Sequence, residues 1–160
     1  MALYYTLAVY KSSYDLIFKI FNITKNFVRE YKYTVGEELK KEIVSIIKNI
    51  YRANKSADKT PAIEAARENL EVVRLYIRLL RDFGQMSLKN FVDINLNIED
   101  VSKQLTSWQN YEKARLDKQD KRQEERKVEQ EKSKIAKQTQ TQEKSKTTNE
   151  QTKEKTNLEK

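Results

Sequence analysis

The side chains best placed to do chemistry in this chain are basic. Turned at about 100° per residue, Lys41, Lys48, Arg52 and Lys55 fall within a sector of about 60° on one helix, opposite an isoleucine-rich face. Arg67, Arg74, Arg78 and Arg81 repeat that spacing on the next helix. Arginine four times over suits bidentate contact with phosphate or carboxylate, because its planar fork matches both. Both stripes are therefore candidate contacts for an anionic polymer or a protein partner. The structural alternative is a solvated helix face, with Glu64, Glu68 and Glu71 neutralising part of the arginine charge.

Catalytic constellations are hard to assemble from what remains. The chain holds neither Cys nor His, so it has no thiolate or imidazole ligand and no Cys or His nucleophile-base pair. Two glycines cannot build a phosphate-cradling loop. Glu37-Glu38 and Glu99-Asp100 are adjacent acids in the apolar part, but polar surroundings make them ordinary surface carboxylates. No enzymatic activity, cofactor or metal site is expected.

The elements that position the stripes follow from composition and period. Two Gly and one Pro in 160 residues leave few turns, so long helices and an all-α fold are expected. Tyr14, Ile17, Phe18, Phe21, Thr24 and Val28 recur at helical spacing and predict the inner face of a first helix ending near Tyr31 to Tyr33. Thr34 and Glu37 have the spacing of a capping box, opening a second helix with Leu39, Ile43, Ile46, Ile47, Ile50 and Asn54 inside. Thr60-Pro61 predicts an N-cap and first position for a third helix that runs to about Asp82. Gly84 is its expected stop and Ser87 the cap of a fourth. In that fourth helix Phe91, Ile94, Ile98, Val101, Leu105 and Trp108 form a coiled-coil-like seam. Short connections make consecutive helices antiparallel, which gives an up-down-up-down four-helix bundle over residues 1–111.

Beyond Tyr111 the apolar residues are Ala114, Leu116, Val128, Ile135, Ala136 and Leu158, too few for a core. Residues 112–137 read as a charged helical extension, rich in pairs three and four apart. Residues 138–160 are of low complexity and are expected to be disordered. The net charge of +8 divides evenly, with 17 basic against 13 acidic residues over 1–111 and 15 against 11 over 112–160. Lys11 follows the apolar start MALYYTLAV, the reverse of a secretory signal, and no run reaches membrane-spanning length. A cytoplasmic protein with no membrane partner is expected.

The third helix carries more apolar residues than one bundle covers. Val72, Leu75, Tyr76 and Leu79 flank its arginine stripe on one side, and Leu70, Val73, Ile77 and Leu80 on the other. Such a helix buries more than one face, which predicts an oligomer or a protein partner. Tyr4, Tyr5, Tyr10, Tyr31, Tyr33 and Tyr51 add aromatic surface, read as half-buried packing residues in preference to base-stacking ones.

The strings MALYYTLAVYKSSYDLI, KNFVREYKYTVGEELK, IYRANK, LYIRLL and VSKQLTSW, in that order, resemble the accessory variability determinant (Avd) of diversity-generating retroelements. That group of four-helix bundles includes the proteins encoded in 23S rRNA intervening sequences. The resemblance covers residues 1 to about 111. It implies a homopentameric barrel with no catalytic centre, which binds the element's reverse transcriptase and its template RNA, with the cDNA, in mutagenic reverse transcription. The basic residues at matched positions are Lys48, Arg52 and Lys55 around IYRANK, and Arg74, Arg78 and Arg81 around LYIRLL. Near the fourth-helix Trp, where members often carry Gly, this chain has Ser102, Thr106 and Ser107. A purely structural oligomeric bundle, without a polymerase partner, is the alternative reading.

Overall fold

A computed structural model describes the backbone of residues 4–157 and the side-chain surroundings of residues 4–134. A single 3₁₀ turn, Tyr4–Thr6, precedes α1 (Ala8–Thr24), a one-turn α2 (Arg29–Lys32), α3 (Val35–Lys55), α4 (Thr60–Asp82) and α5 (Leu88–Asn157). The described residues contain no strand. Contacts group the chain into two units, Met1–Arg115 and Leu116–Lys160.

In the first unit the four long helices form an antiparallel ring, and the cross-helix bonds establish the direction of three neighbouring pairs. Between α1 and α5, Ser12 donates to Asp100 at 2.7 Å and Lys19 to Asp93 at 2.8 Å. Rising numbers on one helix meet falling numbers on the other. The same holds between α4 and α5, where Arg67 donates to Gln109 and Arg74 to Glu99. Tyr4 beside Tyr51, and Lys40 over Phe21, place the start of α1 at the end of α3 and the end of α1 at its start. The core inside the ring is aliphatic, with Leu16, Ile20, Leu39, Ile43, Ile46, Ile50, Leu70, Ile77, Leu80, Ile94 and Ile98 fully buried. At about 1.5–3 kcal/mol for each large apolar side chain buried, this interior is the main stabilising term.

The inner face of α1 differs from the one the spacing predicts. Val9, Ser13, Leu16, Ile20 and Thr24 are buried, whereas Tyr14 is 56% and Phe18 63% exposed. Apolar residues cover more than half of this helix, so periodicity alone allowed two rotations. Ser12 and Lys19, bonded to α5, fix the rotation that turns the aromatics outward. The helix also stops earlier than expected. Thr24 donates its hydroxyl back to the Phe21 carbonyl at 3.0 Å, and Phe27 is buried just past the end, which pulls the chain into the bundle before α2.

Helix ends were partly legible. Gly84 adopts φ +69° and closes α4 with bonds from its own N–H to Arg81 and from Gln85 N–H to Leu80, the paired geometry of a left-handed helix stop. Ser87 accepts the Asn90 N–H at 3.2 Å, as an N-cap should. The other two caps are corrected. Thr34 does not form a capping box, because its hydroxyl donates to the Glu30 carbonyl at 2.6 Å instead. Thr60 does not cap α4 either; Asp58 accepts the Thr60 N–H at 2.9 Å, and the Thr60 hydroxyl has no bonding partner among the described residues.

On α5 the expected seam is present, with Ile94, Ile98, Val101 and Leu105 buried and Phe91 and Trp108 packed against them. The first unit runs a turn past Tyr111. Glu112 is buried and receives the Arg115 Nε at 2.8 Å, and the same guanidinium reaches the Ala57 carbonyl in the α3–α4 turn at 2.8 Å. In the second unit, residues 117–134 of the helix are exposed throughout. The backbone continues as helix to Asn157, over the stretch whose composition predicts disorder, and its side-chain environment from 135 on lies outside the described residues.

Candidate nucleic-acid interface

The two basic stripes have different fates. On α3, Lys41, Lys48, Arg52 and Lys55 are all exposed. Lys41 donates to Glu38 at 2.6 Å, and that hydrogen bond, with the carboxylate's charge, holds its amine above the ordinary 10.5. Its charge is locally offset. Among the described residues the Arg52 side chain reaches only Asn49, at 3.4 Å, and the Lys55 amine lies over the Tyr51 ring at 4.7 Å. Lys48 has no bonded partner among the described residues. Lys48, Arg52 and Lys55 thus keep their charge facing water with no carboxylate bonded to it among the described residues.

On α4 the arginines are largely committed to holding α5. Arg67 donates to the buried Gln109. Arg74 bridges Glu99 at 2.5 Å and Glu71 at 3.3 Å, and Arg81 donates to the Met86 carbonyl at 2.8 Å, bracing the turn before α5. Arg78 is exposed and has no bonded partner among the described residues. The helical wheel placed all four in one sector correctly. It could not show that the sector faces a neighbouring helix, because the acceptors on that helix, Glu99 and Gln109, lie 25 and 42 positions away in sequence.

Sequence reading missed a polar chain across α3 and α4. Asn49, which is buried, donates to Asn69 at 2.8 Å, and Asn69 donates to Glu42 at 2.7 Å. These asparagines interrupt otherwise apolar faces, which was the signal available.

The outer surface also carries apolar side chains. On α4, Leu70, Val73, Ile77 and Leu80 are buried, while the second flank is half-covered at Val72, Tyr76 and Leu79 and open at Leu75. Leu88, Val92 and Leu96 on α5 are exposed at one-turn spacing. The tyrosines form a connected cluster, with Tyr4 edge-on to Tyr5, Tyr10 and Tyr51 at 5.2–5.5 Å and Tyr10 stacked near Tyr14. Among the described residues no group of His, Cys, Asp or Glu is arranged to hold a metal, and no helix is long and apolar enough to cross a membrane.

The sequence pattern of the bAvd-like family matches residues 7–112, the bundle and little else. The chain belongs to the bAvd-like family. This agrees with the resemblance drawn from the five sequence strings. A crystal structure of a protein of unknown function, from the S23 ribosomal protein family of Bacteroides thetaiotaomicron, superposes with a TM-score of 0.58 at 21% identity. The superposition covers 64% of this chain and 95% of that one. At that identity the likeness is one of fold. No match was found among curated proteins.

Proposed function

We propose that this bAvd-like chain is a non-catalytic accessory subunit of a diversity-generating retroelement. In this reading it is cytoplasmic, assembles as a homo-oligomer of five copies, and binds the element's reverse transcriptase and template RNA during mutagenic reverse transcription and retrohoming. The observation that carries the nucleic-acid part is the α3 stripe, since Lys48, Arg52 and Lys55 are exposed and not neutralised. Arg78 extends the basic surface to α4, while Arg67, Arg74 and Arg81 serve the bundle first.

The test is the salt dependence of RNA binding. Each Lys or Arg on a phosphate contributes a log-log slope of about 0.7 for single strands. Replacing Lys48, Arg52 and Lys55 together by Gln lowers affinity and flattens that slope while helicity stays intact. An unchanged slope in a folded variant removes the stripe from the interface. Co-purification with the reverse transcriptase of the same element, with and without RNA, tests the second partner.

A second reading is a structural oligomer with no polymerase partner. It is favoured by the open apolar residues Leu75, Leu88, Val92 and Leu96. Absence of a neighbouring reverse transcriptase gene, and of a near-duplicate DNA repeat differing at adenines, would select it.

A further inference from the structure

Trp108 is the chain's one tryptophan, and only part of it is used by the core. The rest lines two adjoining hollows at the end of the bundle where α3 stops and α4 begins. One, of about 460 Å³, is walled also by Leu7, Asn54, Lys55 and Lys59. The other, of about 380 Å³, adds Val9, Lys103 and Ser107, and again Leu7. Both are of the size that takes a small planar group.

The charge around the indole is positive. Lys55 continues the α3 stripe to the rim, one and two turns beyond Arg52 and Lys48. The Lys59 amine is held by the Ser56 carbonyl at 2.8 Å, which uses one of its three donors. Of the two carboxylates on this side one is paired with a cation and the other, Asp58, keeps its charge and is outnumbered by Lys55, Lys59 and Lys103. Asp58 accepts the Thr60 N–H, and Glu112 is buried under Arg115. A flat apolar ring beside solvated lysines, at the end of a basic track, matches a base with its phosphates. A duplex keeps its bases stacked inside and has none to insert, whereas a single strand can splay one out.

We propose that the Trp108 hollow receives an unstacked base of single-stranded RNA, with Lys55 and Lys59 on the flanking phosphates. This rests on the RNA-binding reading above and adds a place and a strandedness to it.

Because Trp108 is the one tryptophan, its emission reports the contact directly. The full-length chain is titrated with a short oligouridylate while tryptophan emission and the anisotropy of the end-labelled oligonucleotide are followed in parallel. Saturable quenching with the same midpoint as the anisotropy change is the expected result. Lys55→Gln with Lys59→Gln lowers both affinity and quenching amplitude, and Lys89→Gln, at the other end of the bundle, leaves both in place. Trp108→Leu weakens binding roughly tenfold, with circular dichroism verifying the fold. A blunt RNA duplex of the same length quenches far less.

Binding by anisotropy with flat tryptophan emission overturns the proposal and leaves the RNA-binding reading standing. So does equal quenching by the duplex, or by polyglutamate, which would make the hollow a general anion site. If neither signal moves, the RNA-binding reading falls, and this inference with it.

Discussion

At the scale of single residues, the same chemistry serves opposite ends depending on what faces it. Arg67 and Arg52 are both long cations on helix surfaces, yet Arg67 fills the acceptor of a buried glutamine while Arg52 makes one loose contact within its own helix. Removing the first leaves Gln109 buried and unpaired, at a cost of about 1–3 kcal/mol. Arg67→Leu should therefore lower the denaturant midpoint clearly, and Arg52→Gln should leave it nearly unchanged. A second test lies in pH. The Arg74 hydrogen bond, and then its charge, holds the Glu99 carboxyl below the ordinary 4.5. A carboxyl depressed on folding stabilises the native state above its unfolded pKa and loses that contribution as pH falls through the folded value. The melting difference between the parent and Glu99→Gln should thus be present at neutral pH and shrink below about pH 4.5, as thermal melts in a pH series would record. The pair is exposed on the Glu99 side, so the effect is small.

At the scale of elements, the end of the bundle on α5 is set by a polar clamp and not by the last apolar residue. Tyr111 is exposed, while the next turn holds buried Glu112 and the Arg115 guanidinium on the Ala57 carbonyl. Truncation after Lys118 removes only residues that are exposed wherever their side chains are described, and should leave the melting midpoint unchanged. Truncation after Tyr111 removes the clamp and uncaps the α3–α4 turn. A loss of about 1–3 kcal/mol is expected, visible as a midpoint lower by several degrees. Equal midpoints for the two truncations would show that Arg115 holds nothing.

At the scale of the whole molecule, the surface is more apolar than the isolated bundle needs. Phe18, Leu75, Val92 and Leu96 are each roughly half exposed or more, and each forgoes part of the roughly 1.5–3 kcal/mol that full burial supplies. Assembly through such faces is the expected outcome, read by light scattering at micromolar concentration as a mass several times 19 kDa. Leu75→Glu or Leu96→Glu should keep the helicity, since both side chains already face water, while reducing that mass. A 19 kDa species for the parent chain would refute the oligomer.

By itself the sequence determined what depends on local order along the chain. Few Gly and Pro, strong 3.6-residue periods in α3, α4 and α5, and the signals at Gly84 and Ser87 specified long antiparallel helices and two of their ends. It also specified which residues are basic and that they form stripes, because helical spacing is a local property. What only the tertiary structure decided are the rotations and pairings. Tyr14 and Phe18 point outward because Ser12 and Lys19 find acceptors on α5, about 75 to 90 positions away, and no period within α1 encodes those partners. Arg67, Arg74 and Arg81 became braces and Lys48, Arg52 and Lys55 remained open because one stripe lies against a neighbouring helix and the other does not. Trp108 reads as the end of a hydrophobic seam, and it borders the lysine-walled hollow only because the α3–α4 turn folds down beside it. A helix's own pattern states that a face exists; which group meets that face is a contact between distant segments, and packing alone settles it.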